Sequence, residues 1–378
     1  MYGAPMAVTP ETGYLVIADL TGYTAYLASG EIEHAPTIAG DLLETIVGRL
    51  EPPFRLAKLE GDAAFLFMED GRAEGSLLVD AIEACYLAFR RRLRSIEQAT
   101  SCDCVACRRA PRLDLKFFVH HGQYVRTRIA GRDELAGSSI IVVHRLLKGI
   151  AAERAHEADG SAVGFALFTG EALDALGIGA QSLELQAASE TIDHLGTVTT
   201  HTLDLEQRWQ AEGHVRRLDV GGRRAVVDLQ AEIFADPGEV WAHLTSPALR
   251  QTWEGPLLIA ETAVAGRRGV GTTSQCVTGR LSTLEEIVDW QPFEHVGYRL
   301  TVPGIGAVDA TYDLASEGAR TTLRLRWAPS GPKAAAAGRT ERTRREKRLA
   351  LDRLAARLNG AGRQPATRAI GVEEEVSA

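Results

Sequence analysis

Two carboxylates and three thiols are the groups in this chain whose types and spacing suit chemistry. Asp19 closes the apolar run 14–19 (YLVIAD), and Asp62 follows Gly61 between two further strand-like runs, 54–60 and 63–68. Mg²⁺ or Mn²⁺ takes one or two carboxylates together with phosphate oxygens, so such a pair at one sheet edge would hold a metal-bound triphosphate. The turn Thr21-Gly22 directly after Asp19 offers backbone N–H groups that suit phosphate. Lys58 alternates along the strand leading to Asp62, within reach of a base or a phosphate. Aspartates at a strand end and in a turn are also common on structural grounds alone.

The thiols form Cys102-x-Cys104-x-x-Cys107 in a loop. Three thiolates need a fourth ligand to complete a tetrahedral zinc site, and Cys85, His120 and His121 are the candidates. Cys85 falls on a helical apolar stripe, where a buried core cysteine is the favoured reading. His120 and His121 alternate across a strand, so at most one faces a given side. An iron–sulfur cluster, a redox-sensing thiol group or no special role are the other readings of the loop.

These groups are positioned by alternating elements. After the first strand, Ile38, Leu42, Ile46 and Leu50 recur at helical spacing until Pro52-Pro53 stops the helix. The runs 54–60 and 63–68 then read as a hairpin turning at Gly61-Asp62. A second helix, about 76–96, carries the stripe Leu78, Ile82, Cys85, Phe89, Leu93 and Ile96. The run 113–120 (LDLKFFVH) is the next strand, which gives β-α-β-β-α-β, the ferredoxin-like split unit of an α+β fold. In that topology the first strand and the hairpin are neighbours, so Asp19 and Asp62 converge. The runs 125–129, a helical 140–148 and 163–205 read as additions to the same domain.

At this point the chain resembles the class III adenylate and guanylate cyclases. Residues 18–24 (ADLTGYT) resemble the first-aspartate motif, 58–62 (KLEGD) the K-x-x-G-D hairpin, and 119–122 (VHHG) the strand ending in an H-G pair. The segment from Leu135-Ala136-Gly137 to Arg145 resembles the stretch that carries the transition-state residues. The resemblance covers 12–206 and implies a nucleotide-cyclase fold with Asp19 and Asp62 as metal ligands and Lys58 as the purine reader. It further implies Glu134 as the second base reader, Arg145 as the residue stabilising the transferring phosphate, and a homodimer whose site forms between two chains. Ile141 stands where the family has asparagine. The chain also resembles a bacterial group of uncharacterised cyclase-like proteins that share the cysteine loop and the strand 114–122 (DLKFFVHHG).

Composition shifts to polar, Gly- and Arg-rich sequence around 206–224, so the expected division is a first domain over 11–206, a linker over 207–222 and a second domain over 223–360. The second half is mostly short strands, at 225–234, 257–264, 271–277, 284–290, 295–302, 307–314 and 321–327. A helix opens at Asp236-Pro237, and a long one runs from about 334 to 359 before Gly360. With Trp241, Trp253 and the face Leu351, Leu354 and Leu358, this half resembles the SRPBCC (START-like, polyketide-cyclase-like) superfamily. That implies an α+β helix-grip fold around a cavity for a hydrophobic small molecule. Glu285, Asp289, Arg299 and Arg326 alternate on strands as a solvated face would, and the basic run 339–348 reads as a solvated helix face. The tail 361–378 reads as disordered.

With 45% apolar and 24% charged residues the composition is that of a globular protein, and a net charge of −8 excludes general nucleic-acid or anionic-membrane binding. No apolar run is long enough for a membrane helix, and 1–10 lacks a signal-peptide pattern, so a cytoplasmic bacterial protein is expected. The functional expectation is a regulatory or sensor protein that couples a divergent cyclase-like domain to a ligand-binding domain. The alternative is a homodimeric cyclase acting on ATP or GTP under control of the second domain.

Overall fold

The computed structural model describes residues 9–28, 34–71, 76–99, 102, 104–149, 164–183, 185–212, 217–221, 224–255, 257–263, 267–318, 320–329, 337–360 and 367–369. The chain divides into two compact units, Met1–His214 and Val215–Ala378. Each is α+β.

The first unit runs β1 (Glu11–Thr21), α1 (Tyr23–Leu27), α2 (Ala35–Leu50), β2 (Arg55–Glu60), β3 (Ala63–Glu69), α3 (Leu77–Ala99), α4 (Val105–Arg109), β4 (Asp114–Ile129), β5 (Arg132–Ala136), α5 (Ser138–Leu146), β6 (Phe165–Thr169), α6 (Gly170–Leu176), β7 (Gln186–Ile192), β8 (Gly196–Asp204) and α7 (Leu205–Glu212). The sheet order is β2-β3-β1-β4-β6-β8-β7, with β5 paired to β4. Its first four strands are the ferredoxin-like core, antiparallel throughout, and β6 then adds parallel to β4. The expected runs 113–120 and 125–129 are one continuous strand, β4, whose far end folds back on β5.

The two faces of this sheet are covered differently. Helices α2 and α3 lie together and bury Leu42, Ile46, Leu78, Ile82, Cys85 and Phe89. On the other face α5 seats Val142, Val143 and Leu146 against Leu15, Ile17, Phe65 and Phe118. Full burial of each such side chain is worth roughly 1.5–3 kcal/mol, so α5 is anchored firmly along its inner stripe.

The second unit runs β9 (Val227–Ile233), α8 (Pro237–Thr245), α9 (Pro247–Arg250), β10 (Leu258–Thr262), β11 (Thr273–Thr278), β12 (Leu281–Gln291), β13 (His295–Val302), β14 (Gly306–Glu317), β15 (Arg320–Pro329), α10 (Ala337–Leu358) and β16 (Thr367–Ala369). One antiparallel sheet is ordered β10-β11-β12-β13-β14-β15-β9-β16. Asp236 caps α8 by accepting from the Glu239 N–H at 2.8 Å, as its position before Pro237 requires. The long helix α10 buries Leu351, Leu354 and Ala355 and ties down the loop after α9: Arg353 donates to the carbonyls of Trp253 at 2.7 Å and Glu254 at 3.0 Å. This is the helix-grip arrangement.

Three expectations change here. The stretch 207–222 includes the end of α7 in the first unit and, from 215 on, residues of the second unit itself, where the Leu218 N–H donates to Asp289 and the Val220 carbonyl accepts from Arg326. The tail expected to be disordered contains β16, paired to β9 at Thr367↔Ala231; the rest of 361–378 lies outside the described residues. Glu285, Asp289 and Arg326 are not a solvated face. Glu285 is buried with Arg250, which donates to it at 2.8 Å and also pairs with half-buried Glu254. Asp289 is 0% exposed; it accepts from the Leu218 N–H and pairs with His295, which also holds Asp313, and Arg326 completes the network at 2.7 Å from Asp313. Arg299 does stay solvated, at 55% exposure. In the described part of the basic run Arg342 pairs with Glu346 at the surface, whereas Arg344, paired to Glu341, also donates to the Val226 carbonyl at 3.0 Å, and the Arg348 Nε is buried.

Candidate functional site

Register places the carboxylate edge. Directly opposed residues on paired strands share a face, and Glu60, Ala63, Asp19 and Lys116 are opposed in turn across β2, β3, β1 and β4. This row lies on the α5 face, because Ala63 belongs to the core that α5 covers. The next row inward, Lys58, Phe65, Ile17 and Phe118, lies on the same face. A β-bulge at Ala57, between Leu56 and Lys58, sets that phase for β2.

Asp62 sits in the turn between β2 and β3, and its carbonyl accepts from the Leu20 N–H at 3.2 Å, which holds the turn against the end of β1. Asp19 and Asp62 are therefore brought together. Burial raises the Asp19 carboxyl above the usual carboxylate range; Lys116, 3.6 Å away, offsets part of this, and the charge of Asp62 adds to it. Two carboxylates and one ammonium leave a net negative oxygen-rich corner. That donor set suits a hard divalent cation, with Lys116 as its competitor.

Gly22, at φ +86°, starts α1 in the left-handed region that favours glycine, and so turns the chain sharply after Thr21. Thr21 is buried, and its Oγ1 has no hydrogen-bond partner among the described residues.

Lys58 and Glu134, distant in sequence, meet at 3.4 Å; Lys58 also bonds Glu60 at 3.0 Å. Hydrogen bonding to Glu60 chiefly raises the Lys58 ammonium above its ordinary range, with Glu134 adding to it. Glu60 was not foreseen from sequence. It also takes a 2.9 Å contact from His144 of α5, whose ring stands edge-on to Phe65. Burial alone would raise the Glu60 carboxyl, but Lys58 and His144 outweigh it and hold it below the usual range. The alternation of Lys58 and Glu60 along one strand was the available signal for this pair.

Arg145 is exposed in the last turn of α5 and makes no ion pair or hydrogen bond through its side chain among the described residues. Ile141, one turn earlier on the same helical face, is 52% exposed. The structure does not bring Arg145 into contact with Asp19 or Asp62 of its own chain.

The three loop cysteines do come together, and the fourth group is His34. Its Nδ1 lies 3.4 Å from Cys104 Sγ, 3.5 Å from Cys107 Sγ and 3.7 Å from Cys102 Sγ. The four ligand atoms lie within 4.8 Å of one another, so the group could hold a metal ion. None of the three expected partners joins it. Cys85 is buried on α3 and faces the Ile46 carbonyl, His120 shares a hydrogen bond with Thr169 at 3.0 Å, and His121 bonds Asp70 at 2.9 Å. His34 stands directly before α2 without a side-chain cap hydrogen bond, while Cys104 caps α4 and accepts from the Cys107 N–H at 3.3 Å. Burial, together with the neighbouring sulfurs of Cys104 and Cys102, pushes the Cys107 thiol up to about 12. A metal ion beside the sulfurs would offset that effect and favour the thiolate form.

Residues 39–154 match a family model described as a protein of unknown function (DUF2652), and 224–359 match the model for polyketide cyclase/dehydrase and lipid transport. An uncharacterized protein of Mycobacterium tuberculosis is 36% identical over 107 residues, which is 28% of this chain. The match spans 50% of that relative's own length. Among solved structures, the adenylyl cyclase CyaB from P. aeruginosa is similar with a TM-score of 0.38 at 14% identity, over 57% of this chain and 100% of that one. A protein of Chromobacterium violaceum is similar with a TM-score of 0.30 at 17% identity, over 35% of this chain and 97% of that one. No described helix is long and apolar enough to cross a membrane.

Proposed function

We propose that this chain is a regulatory or sensor protein whose first unit binds a nucleoside triphosphate with Mg²⁺ or Mn²⁺, and whose second unit binds a hydrophobic small molecule. The observation that carries the reading is the Lys58–Glu134 pair at 3.4 Å, one strand row from Asp19 on the same face. Both side chains are about a third or more exposed, so the pair adds less than about 1 kcal/mol to stability, and folding alone does not account for it. A donor beside an acceptor is what reading a purine edge needs. Asp19 and Asp62 would hold the metal, which would neutralise the triphosphate, and the backbone N–H groups at Thr21-Gly22 would take phosphate oxygens. For the second unit, support comes from the match of 224–359 to a lipid-transport family model and from the long helix over its sheet.

A second reading is an active homodimeric cyclase, and the unengaged, exposed Arg145 favours it, since a second chain could receive that guanidinium. Ile141 weighs against efficient turnover, because an apolar side chain there supplies no hydrogen bond to a reacting nucleotide. Incubating the full chain with ATP or GTP plus Mn²⁺, beside Asp62→Ala, separates the two. The regulatory reading expects no cyclic product from either protein. Cyclic product from the wild type that disappears in Asp62→Ala would replace it with the enzyme reading.

A further inference from the structure

We infer that His34, Cys102, Cys104 and Cys107 form a mononuclear structural zinc site that clamps the start of α2 and the short helix α1 to the cysteine loop. Tetrahedral zinc with Zn–S near 2.3 Å and Zn–N near 2.05 Å sets each sulfur roughly 3.6 Å from the nitrogen. The observed separations of 3.7, 3.4 and 3.5 Å bracket that value. All four ligand atoms fit within 4.8 Å, which suits one ion; a polynuclear iron–sulfur cluster holds its ligands around a larger body. Three thiolates with one imidazole leave no open coordination position, which is the mark of a structural rather than a catalytic zinc. A disulfide explains less, since it would use two of the sulfurs and leave the third and the imidazole without a purpose.

The clamp has identifiable neighbours. His34 is the residue from which α2 starts, with the Ile38 N–H bonded to its carbonyl at 3.0 Å. Cys104 and Cys107 begin and fill α4. Helix α1 is tied to α4, since Arg109 donates to the Ala25 carbonyl at 3.5 Å, and Tyr26 of α1 is buried. Helix α1 follows directly on Asp19, Thr21 and Gly22, so the zinc would buttress the turn at the carboxylate edge from behind. The inference stands whether or not that edge binds nucleotide.

The test is elemental analysis of the full chain, purified under reducing conditions without chelator, together with replacement by Co²⁺. One zinc per chain is expected, and the cobalt form should show the d–d bands of a tetrahedral ion and charge-transfer intensity for three thiolates. His34→Ala should lower zinc affinity at least about tenfold, and His34→Cys should restore it as a four-thiolate site. Removing zinc should raise hydrogen exchange in α1 and the first turn of α2. Iron with acid-labile sulfide, no metal after zinc supplementation, or full zinc affinity in His34→Ala would overturn the inference. Should His34→Ala fail to fold, the wild-type cobalt spectrum still decides, because a ligand set without three thiolates would contradict it.

Discussion

Lys58 of β2 and Glu134 of β5 meet at 3.4 Å although β2 lies at one edge of the first sheet and β5 folds back from β4. Only the chain reversal between β4 and β5, closed by the pairing Thr127↔Glu134, carries Glu134 there. If the pair reads a base, Lys58→Ala and Glu134→Ala should each change unfolding free energy by less than about 1 kcal/mol, as expected for an exposed ion pair. Each should reduce discrimination between ATP and GTP in a competition binding assay. Denaturant unfolding beside that assay checks both halves.

Gly22 tests the turn after the carboxylates. With φ at +86°, Gly22→Val would force a β-branched residue into the left-handed region, at a cost of about 1–3 kcal/mol. The added Cβ itself has room, its nearest neighbours lying 3.9 Å away, so the loss would be conformational. A lower denaturation midpoint for the first unit, with triphosphate affinity reduced as well, is the expected outcome.

In the second unit the buried cation Arg250 is held by Glu285 at 2.8 Å and Glu254 at 3.1 Å. Arg250→Met would leave buried Glu285 and half-buried Glu254 without their main counter-charge, at a cost of about 3–5 kcal/mol. Replacing all three residues with apolar ones of similar volume should cost much less. Unfolding curves of the two variants measure the difference.

His295 gives the second unit a pH signature. Burial alone would lower its pKa, but the hydrogen bonds that its ring N–H groups donate to Asp289 and Asp313 carry it from the ordinary 6.5 to about 9. Its stabilisation is therefore complete below pH 6.5 and is lost as pH rises through about 9, on the order of 3 kcal/mol in all. Asp289 and Asp313 are held below the ordinary 3.8, mainly by His295 against the effect of burial, so their contribution is present above 3.8 and fades as pH falls below it. Melting temperature across pH 5–10 should fall on the alkaline side in the wild type, and the part of that fall centred near pH 9 should be absent in His295→Asn.

Much of the fold was legible because its signals are local. The stripe Leu42, Ile46 and Leu50 predicts α2, and all three are buried; Gly61-Asp62 predicts the β2–β3 turn that is found. The elements that bring Asp19 and Asp62 together follow from the β-α-β-β-α-β order alone. What the sequence hid depends on tertiary placement. His34 lies 68 residues before Cys102, and no spacing rule spans that distance. Glu285 and Asp289 alternate in a way equally suited to either face of β12, and only the covering of both faces, with Leu218 against Asp289 and Arg250 against Glu285, buries them. Glu60 and His144 were missed because their contact joins a strand to a helix packed across it.

The most direct measurement is calorimetric titration of the full chain with ATP and with GTP, with and without Mn²⁺, in the wild type and in Asp19→Asn and Asp62→Asn. Metal-dependent binding of one triphosphate per chain, weakened at least about tenfold by either substitution, is the predicted result. Binding that is absent in the wild type, or that persists unchanged without Mn²⁺ or in both variants, would contradict a nucleotide site at the Asp19–Asp62 edge.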